Sequence, residues 1–329
     1  MMQRLLAALV LLACSAAAQM TPAQPQAAPQ PAAPQKSVQE RLGYPADAKL
    51  LIIHADDFGM SHSVNRGTMD AFESGAITSA SIMVPTPWFP EVAQWAKSHP
   101  DADLGIHMAL NSEWTTFRWG PLSGPTVVPT LVDANGYFPL LESDVPPRAD
   151  LAQVEVEIRA QVEKARASGI KISHLDTHMT TLTRSPALFE VYRKVGRAYG
   201  VPVLLERLSG TYRLGGNEPP ADALIDKVVS IDVGVPMKKD AWLDAYKKML
   251  QPLGPGVYEL IVHAAYDDPE MQGATADHPN WGATWRQLDL DTIKSKEFRN
   301  FLKDQKFILI RWRDLARALP EGYSTMGGQ

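Results

Sequence analysis

The sequence predicts an α/β protein, a TIM-like (β/α) barrel with room for fewer or irregular strands. From Lys49 onwards, short apolar segments alternate with amphipathic ones, which is typical of right-handed βαβ units and a parallel sheet. The chain has 329 residues, 45% of them hydrophobic, which is enough for one large core. Periodicity alone does not separate a barrel from an open sheet, but the number of units favours the barrel.

Eight apolar segments are candidate strands: Lys49–Ala55, Thr78–Val84, Asp103–Leu110, Lys171–Thr177, Pro202–Glu206, Val228–Val233, Val257–Ala264 and Phe307–Arg311. Candidate helices lie between them, and capping residues mark their ends. Ser185 is an N-cap, Pro186 takes the first helical position and Gly200 follows the helix. The predicted helices are Asn65–Ser74, Pro90–Ser98, Leu151–Ala167, Pro186–Tyr199, Asp240–Leu250 and Asp291–Lys303.

The first 20 residues have the layout of a secretory signal. Arg4 precedes an apolar run too short to span a bilayer, and small residues follow it. An A-x-A cleavage site at 16–18 competes with a lipobox-like stretch that ends at Cys14. We expect a signal over 1–20, a Pro/Ala/Gln-rich linker over 21–40 and a barrel domain over 41–325. The protein is therefore expected in the periplasm, either free or as a membrane-anchored lipoprotein.

Composition excludes several classes of function. The chain has 32 Lys and Arg against 37 Asp and Glu, so no basic excess is present to neutralise nucleic-acid phosphates. One cysteine leaves no disulfide framework and no Cys-rich metal site. We expect contact with a membrane only through a lipid anchor, and a monomer or homodimer.

Acids and imidazoles share one face near the carboxyl ends of four candidate strands, where active sites form in parallel α/β folds. The sets are His54 with Asp56, Gly105 with His107, His174 with Asp176 and His178, and Glu259 with His263. The third set is the most specific, because burying three polar groups on one face of a strand costs free energy unless they have a partner.

The first strand ends in Asp56-Asp57-Phe58-Gly59. Adjacent carboxylates repel each other unless a positive group lies beside them, and a divalent cation is a natural solution. Taken singly, an Asp-Asp pair is also typical of a turn, and a strand histidine such as His107 is often a core residue. The four sets together favour a metal site.

Two long segments interrupt the alternation, 111–148 and 266–287. Long βα loops usually carry function. Both contain tryptophans, among them Trp114 and Trp281, which suit either ordinary packing or stacking against a sugar.

The pattern resembles the YdjC/ChbG-type carbohydrate deacetylases of the polysaccharide-deacetylase-like group. The resemblance runs from Lys49 to Leu315. It rests on LIIHADDFG at 51–59, Asn65 and Gly67, GAITSASIMV at 75–84, GIHMAL at 105–110, SHLDTH at 173–178 and ELIVH at 259–263. It implies a (β/α) barrel with one divalent metal ion, and removal of acetyl groups from an N-acetylated sugar or oligosaccharide.

The resemblance also implies roles for individual residues. Asp57, His107 and His178 take the positions of the metal ligands, and Asp56 that of the catalytic base. His263 lies at a position near the reacting group, where an imidazolium could donate a proton to the leaving amine. Zn²⁺ and Mg²⁺ suit this set best, and Mn²⁺, Fe²⁺ and Co²⁺ stay open.

The remaining candidates are substrate contacts or residues that support the ligands. Glu259 or Asp176 could orient an imidazole, and His174 lies on the same face as Asp176. Trp114 and Trp281 are candidates for sugar contact.

Two departures from the family pattern follow His178, where the chain reads Met-Thr-Thr, and His263, where it reads Ala-Ala-Tyr. The intracellular chitooligosaccharide role known in the family is therefore not transferred. Two alternatives stay open, a periplasmic glycan-binding protein without catalysis and a metal hydrolase of another ester or amide bond.

Overall fold

The computed structural model describes residues 36–207 and 221–323. Within these ranges, seven parallel strands form one sheet in the order β4-β3-β2-β1-β6-β5, and β7 pairs with β1. The strands are β1 Lys49–Phe58, β2 Ser79–Ile82, β3 Leu104–Met108, β4 Ile172–Thr177, β5 Lys227–Val229, β6 Gly256–Val262 and β7 Phe307–Leu309. The prediction of an irregular α/β barrel is confirmed.

Strand β1 is the centre of the sheet. It pairs with β6 over Lys49–Ala55, with β7 at its amino end and with β2 at its carboxyl end. Its residues 50–53 are buried on both faces, as expected of a parallel strand covered by helices. The carboxyl ends of all strands therefore lie at one edge, where the predicted site residues are found.

The predicted strand Pro202–Glu206 is wrong as a continuous element. Two single bridges replace it, Leu175–Val203 and Glu206–Ile225. Pro202 has no N–H to donate, and the segment changes partner between the two bridges, so neither pairing extends into a ladder. The first bridge joins this segment to β4, and the second joins it to Ile225, two residues before β5.

The helices flank the strands as the alternation predicts. Two of them, Leu151–Ala167 and Pro186–Tyr199, have the predicted bounds. The helices are α1 Val38–Arg41, α2 His62–Glu73, α3 Phe89–Ser98, α4 Leu151–Ala167, α5 Pro186–Tyr199, α6 Lys239–Leu250, α7 Pro269–Ala274, α8 Ala283–Lys294, α9 Lys296–Asp304 and α10 Trp312–Leu315.

The predicted single helix Asp291–Lys303 is wrong, because the helix is interrupted at Ser295: α8 ends at Lys294 and α9 begins at Lys296. Ser295 has extended backbone dihedrals, and its hydroxyl accepts a hydrogen bond from the Phe298 N–H. A serine in this role is an N-cap, so α9 is a separate helix and not a continuation of α8.

The predicted signal, Cys14 and linker residues 21–35 lie outside the described residues. Helix α1 lies at the predicted linker–domain junction, and Val38 packs into an apolar cluster with β1 residues. In the described part of the chain, no helix is both long and apolar enough to cross a bilayer.

Candidate metal centre

The carboxyl end of β1 is distorted at the two adjacent aspartates. The register with β2 shifts between Ala55 and Phe58, and Asp57 has a φ of 67°, in the left-handed region. Regular strand alternation would send Asp56 and Asp57 to opposite faces. The distortion brings both carboxylates to the site, as bulges near active sites commonly do.

Asp57, His107 and His178 converge at this edge, from β1, β3 and the residue after β4. His107 Nε2 lies 3.5 Å from Asp57 Oδ1, and His178 Nδ1 lies 3.4 Å from the same oxygen. The two ring nitrogens are 3.3 Å apart. The centre of such a triangle lies about 2 Å from each corner, close to the ~2.0–2.2 Å at which zinc binds nitrogen and oxygen.

Carboxylates hold the other nitrogen of each imidazole. Asp176 Oδ1 lies 2.7 Å from His107 Nδ1, and Glu113 Oε2 lies 2.8 Å from His178 Nε2. Such partners are typical of metal-binding histidines, because they fix the tautomer and the ring orientation. Asp57 Oδ1 is buried and has no hydrogen-bond partner among the described residues, so this oxygen is free to bind a cation.

A buried arginine neutralises Asp57. Arg286, in the first turn of α8, places a guanidinium nitrogen 2.8 Å from Asp57 Oδ2. Its Nε donates to the Trp281 carbonyl, and the guanidinium lies over the Trp114 ring. Burial alone would raise the pKa of Asp57, but Arg286, followed by His178, holds that pKa well below its usual range. Arg286 thus supplies part of the positive charge expected from a cation.

Asp56 and His263 lie beside the triangle. Asp56 Oδ1 is 3.3 Å from His54 Nε2, and Asp56 Oδ2 is 3.9 Å from His263 Nε2. The His263 backbone N–H donates to Asp289, which fixes the end of β6. Asp56 is therefore positioned to exchange a proton next to the proposed cation site.

The histidines that follow β4 and β6 differ in charge. Burial lowers the pKa of His178, but Glu113 and Asp57 more than compensate and raise it to about 10. Burial lowers the pKa of His263 to about 4 despite the opposing effect of Asp57. The low pKa favours the neutral form of His263 near pH 7.

A second polar cluster fills the barrel beneath the site. His54 Nε2 lies 3.1 Å from Asp176 Oδ2, and Trp312 Nε1 donates to Glu259 at 2.7 Å. His174 stacks on Trp312 with ring centroids 4.7 Å apart. The cluster supports the site from below, and Asp176 links it to His107. Both predicted orienting acids lie against an imidazole: Glu259 Oε1 is 3.6 Å from His54 Nδ1, and Asp176 contacts the candidate ligand His107.

His54, His174 and Asp176 also form a group of three potential ligands. The Asp57 triangle fits a cation better, because each of its two imidazoles has a separate carboxylate on the opposite nitrogen. A third group, Asp56, His107 and Asp176, shares two of its members with the groups already described.

The two tryptophans have different surroundings. Trp114 is buried and packs against Trp119 and beneath Arg286, so the structure favours a packing role. Trp281 is half-buried, and its ring lies edge-on to His263 at 4.9 Å. Trp281 is therefore the better placed of the two for contact with a substrate.

Sequence reasoning missed Glu113 and Arg286. Both lie in the long segments that the sequence marked as functional, 111–148 and 266–287. An isolated Glu or Arg in a loop carries no periodic signal, so only the three-dimensional arrangement identifies them.

Comparison with known proteins gives consistent results. The model of the family described as YdjC-like protein matches residues 50–304. A carbohydrate deacetylase from Thermoanaerobacter pseudethanolicus is 30% identical over 80% of this chain and 98% of its own length. One from Thermus thermophilus is 31% identical over 85% of this chain and 98% of its own length.

A solved structure has the same fold. It is described as a candidate cellobiose-phosphate cleavage protein from Enterococcus faecalis V583, with a TM-score of 0.67 and 24% identity. The alignment covers 82% of this chain and 99% of that one. The family match and the two relatives confirm the resemblance, and the chain belongs to the YdjC-like protein family.

Proposed function

We propose that the chain is a divalent-metal-dependent hydrolase that removes the acetyl group from an N-acetylated sugar or short oligosaccharide. Family membership and relatives named carbohydrate deacetylases support the reaction class. The observation that carries the proposal is the triangle of Asp57, His107 and His178 with a separate carboxylate, Asp56, beside it.

Asp57 Oδ1, His107 Nε2 and His178 Nδ1 would hold the cation. A bound divalent ion would lower the pKa of a water molecule and polarise the acetyl carbonyl. Asp176 and Glu113 keep the ligand nitrogens of the two imidazoles turned to the ion. Arg286 occupies Asp57 Oδ2, which leaves Oδ1 as the oxygen that faces the ion.

Asp56 is assigned as the general base. It takes a proton from the water that attacks the acetyl carbon. When the C–N bond breaks, the nitrogen needs one proton, and this is the proton that Asp56 took from the water. His263 Nε2, 3.9 Å from Asp56 Oδ2, is the neighbouring group that can carry it to the amine. The ring is neutral beforehand, so it can receive this proton, and the low pKa of His263 makes it a strong donor once protonated.

Trp281 supports the sugar assignment. Its half-buried ring lies beside His263, close to where the leaving amine would be. Aromatic faces suit the apolar faces of sugar rings, so we assign Trp281 to the sugar that carries the acetamide.

The test is acetate release from N-acetylated mono-, di- and oligosaccharides by protein loaded with Zn²⁺ or Mg²⁺. Asp56→Asn should retain the metal and lose about 100-fold or more in turnover. Asp101→Asn, an exposed aspartate at the amino end of β3, is the matched control and should behave as wild type. Normal turnover in Asp56→Asn would refute the base assignment. Protein that binds no divalent ion would favour the glycan-binding alternative, and activity on another ester or amide alone would favour the other hydrolase.

We also propose that the protein is exported, on the basis of the signal-like layout of residues 1–20. Mass spectrometry of the processed amino terminus tests this. A lipid-modified Cys14 supports an anchored form, and a terminus at Gln19 supports a free form. Protein that retains Met1 in the cytoplasmic fraction contradicts export.

A further inference from the structure

Glu113 connects the cation site to both long loops. Its side chain accepts a hydrogen bond from His178 Nε2 at 2.8 Å. Its backbone carbonyl accepts one from His278 Nε2 at 3.2 Å, across from the other loop. One residue therefore contacts both a candidate metal ligand and the loop that precedes α8.

A second contact lies two residues further along the chain. The Thr115 backbone N–H and hydroxyl both donate to Asp277 Oδ2, at 3.0 and 2.6 Å. We call the Thr115–Asp277 and Glu113–His278 hydrogen bonds the loop clasp. The loop clasp ties the segment around Glu113 to the loop that follows β6.

We propose that Glu113 is a positioning residue for His178, and that the loop clasp holds Glu113 in place and thereby increases cation affinity. This inference rests on the cation site proposed above. It adds a residue and a coupling that neither the family match nor the names of the relatives describe.

The chemistry follows from the two nitrogens of one ring. A cation that binds Nδ1 displaces the proton on that atom, and the carboxylate at Nε2 then keeps the one remaining hydrogen on Nε2. The lone pair is then on Nδ1, which is the atom that faces Asp57 and His107. Glu113 is mostly buried, with 13% of its side chain exposed, so its charge acts on His178 with little screening by water.

Position within the fold explains the need for the loop clasp. His178 directly follows β4, but Glu113 lies in a loop five residues beyond the last residue of β3. A loop of this kind does not hold a carboxylate as firmly as a strand does. The hydrogen bonds with His278 and Asp277 restrain the chain at Glu113 itself and two residues beyond it.

The experiment measures Zn²⁺ affinity by competition titration, and the visible spectrum of the Co²⁺-loaded protein, for the full chain. Glu113→Ala should weaken Zn²⁺ binding about 10–100-fold and change the Co²⁺ spectrum. Glu113→Gln should recover part of the affinity, because its amide oxygen accepts the same hydrogen bond. Asp277 does not contact the candidate ligands, and we expect Asp277→Ala to weaken Zn²⁺ binding several-fold through the loss of its hydrogen bonds to Thr115. Asp144→Ala, an exposed acid elsewhere in the first loop, is the control and should match wild type.

Equal Zn²⁺ affinity and an unchanged Co²⁺ spectrum in Glu113→Ala overturn the positioning role. If Glu113→Ala does not fold, unchanged Zn²⁺ affinity and an unchanged Co²⁺ spectrum in Glu113→Met, which also lacks the hydrogen-bond acceptor, have the same meaning. Unchanged affinity in Asp277→Ala alone overturns the role of the loop clasp. Wild-type protein that binds no Zn²⁺ or Co²⁺ overturns the proposed function itself, a result distinct from the others.

Discussion

The strands and the long loops contribute to the site in different ways. Asp57, His107 and His178 come from the carboxyl ends of β1, β3 and β4, and backbone pairing places His107 directly opposite Asp176. Glu113 and Arg286 reach the same site from the two long segments between strands, and each contacts one of the three through a charge. The strands fix where the candidate ligands lie, and the loops set their charge and orientation.

The two histidines at the site illustrate this division. His178 and His263 both follow directly on buried strands, yet the pKa of one is raised to about 10 and that of the other lowered to about 4. A loop carboxylate, Glu113, lies against His178. For His263, burial has the largest effect, and Arg286 adds to it. Position in the fold is similar, and the neighbours determine the chemistry.

The largest effect is expected from a strand ligand. His178→Ala should reduce Zn²⁺ affinity by more than the roughly 100-fold that loss of an orienting partner costs, and should abolish acetate release. Metal content and turnover measure this. His99→Ala, a half-buried histidine that stacks on Trp95 far along α3, is the control. Tight Zn²⁺ binding by His178→Ala would contradict the assignment of the strand ligands.

The next effect tests the loops. Arg286→Met leaves the Asp57 carboxylate buried without its partner, which should cost about 3–5 kcal/mol in the free energy of unfolding. Saturating Zn²⁺ should restore part of this loss, because the cation replaces the missing positive charge. Denaturant unfolding with and without Zn²⁺ measures both values.

A double variant controls for packing. Asp57→Asn with Arg286→Met removes both charges, so it should be more stable than Arg286→Met alone without metal. An equal loss in both, unaffected by Zn²⁺, would mean that Arg286 contributes packing and not charge.

Glu259 tests the cluster inside the barrel. Burial raises the pKa of Glu259 from 4.5 to about 7. The folded state therefore favours the protonated form, so this contribution to stability is complete below about pH 4.5 and is lost as the pH rises to about 7. Glu259→Gln lacks this loss, and relative to wild type it should gain roughly 3 kcal/mol between pH 4.5 and pH 8. If the free energies of unfolding of wild type and Glu259→Gln differ by the same amount at every pH in this range, the assigned pKa is contradicted.

The smallest effect concerns strand packing. A Cβ at Gly105 would lie 2.3 Å from the His174 ring, so Gly105→Ala should destabilise the fold by roughly 1–3 kcal/mol. Gly254→Ala, where a Cβ would meet nothing within 4 Å, is the matched control and should cost little. Thermal unfolding of both variants measures the difference. Equal melting temperatures would mean that His174 can move away from the strand.

Strand residues were predictable and loop residues were not. The two-residue period of a strand assigned His54, Asp56, His107 and Asp176 to one face from sequence alone, and the structure brings them together. Asp57 lies in a bulge that alternation does not predict. The adjacent carboxylates already indicated a cation, but only the family resemblance assigned Asp57 as the ligand.

The loops differ because their conformations depend on contacts distant in sequence. Glu113 lies 65 residues from His178, and Arg286 reaches Asp57 from the far end of the chain. Two errors in the elements have other causes. The helix is interrupted at Ser295 by a local N-cap, and residues 202–206 change pairing partner; hydrophobic periodicity indicates neither.

The most direct test of the central claim is anomalous diffraction from a crystal soaked in Zn²⁺. We predict one strong peak, bound by Asp57 Oδ1, His107 Nε2 and His178 Nδ1 at ~2.0–2.2 Å. A peak on His54, His174 and Asp176 instead, or no peak in the barrel, would contradict the account.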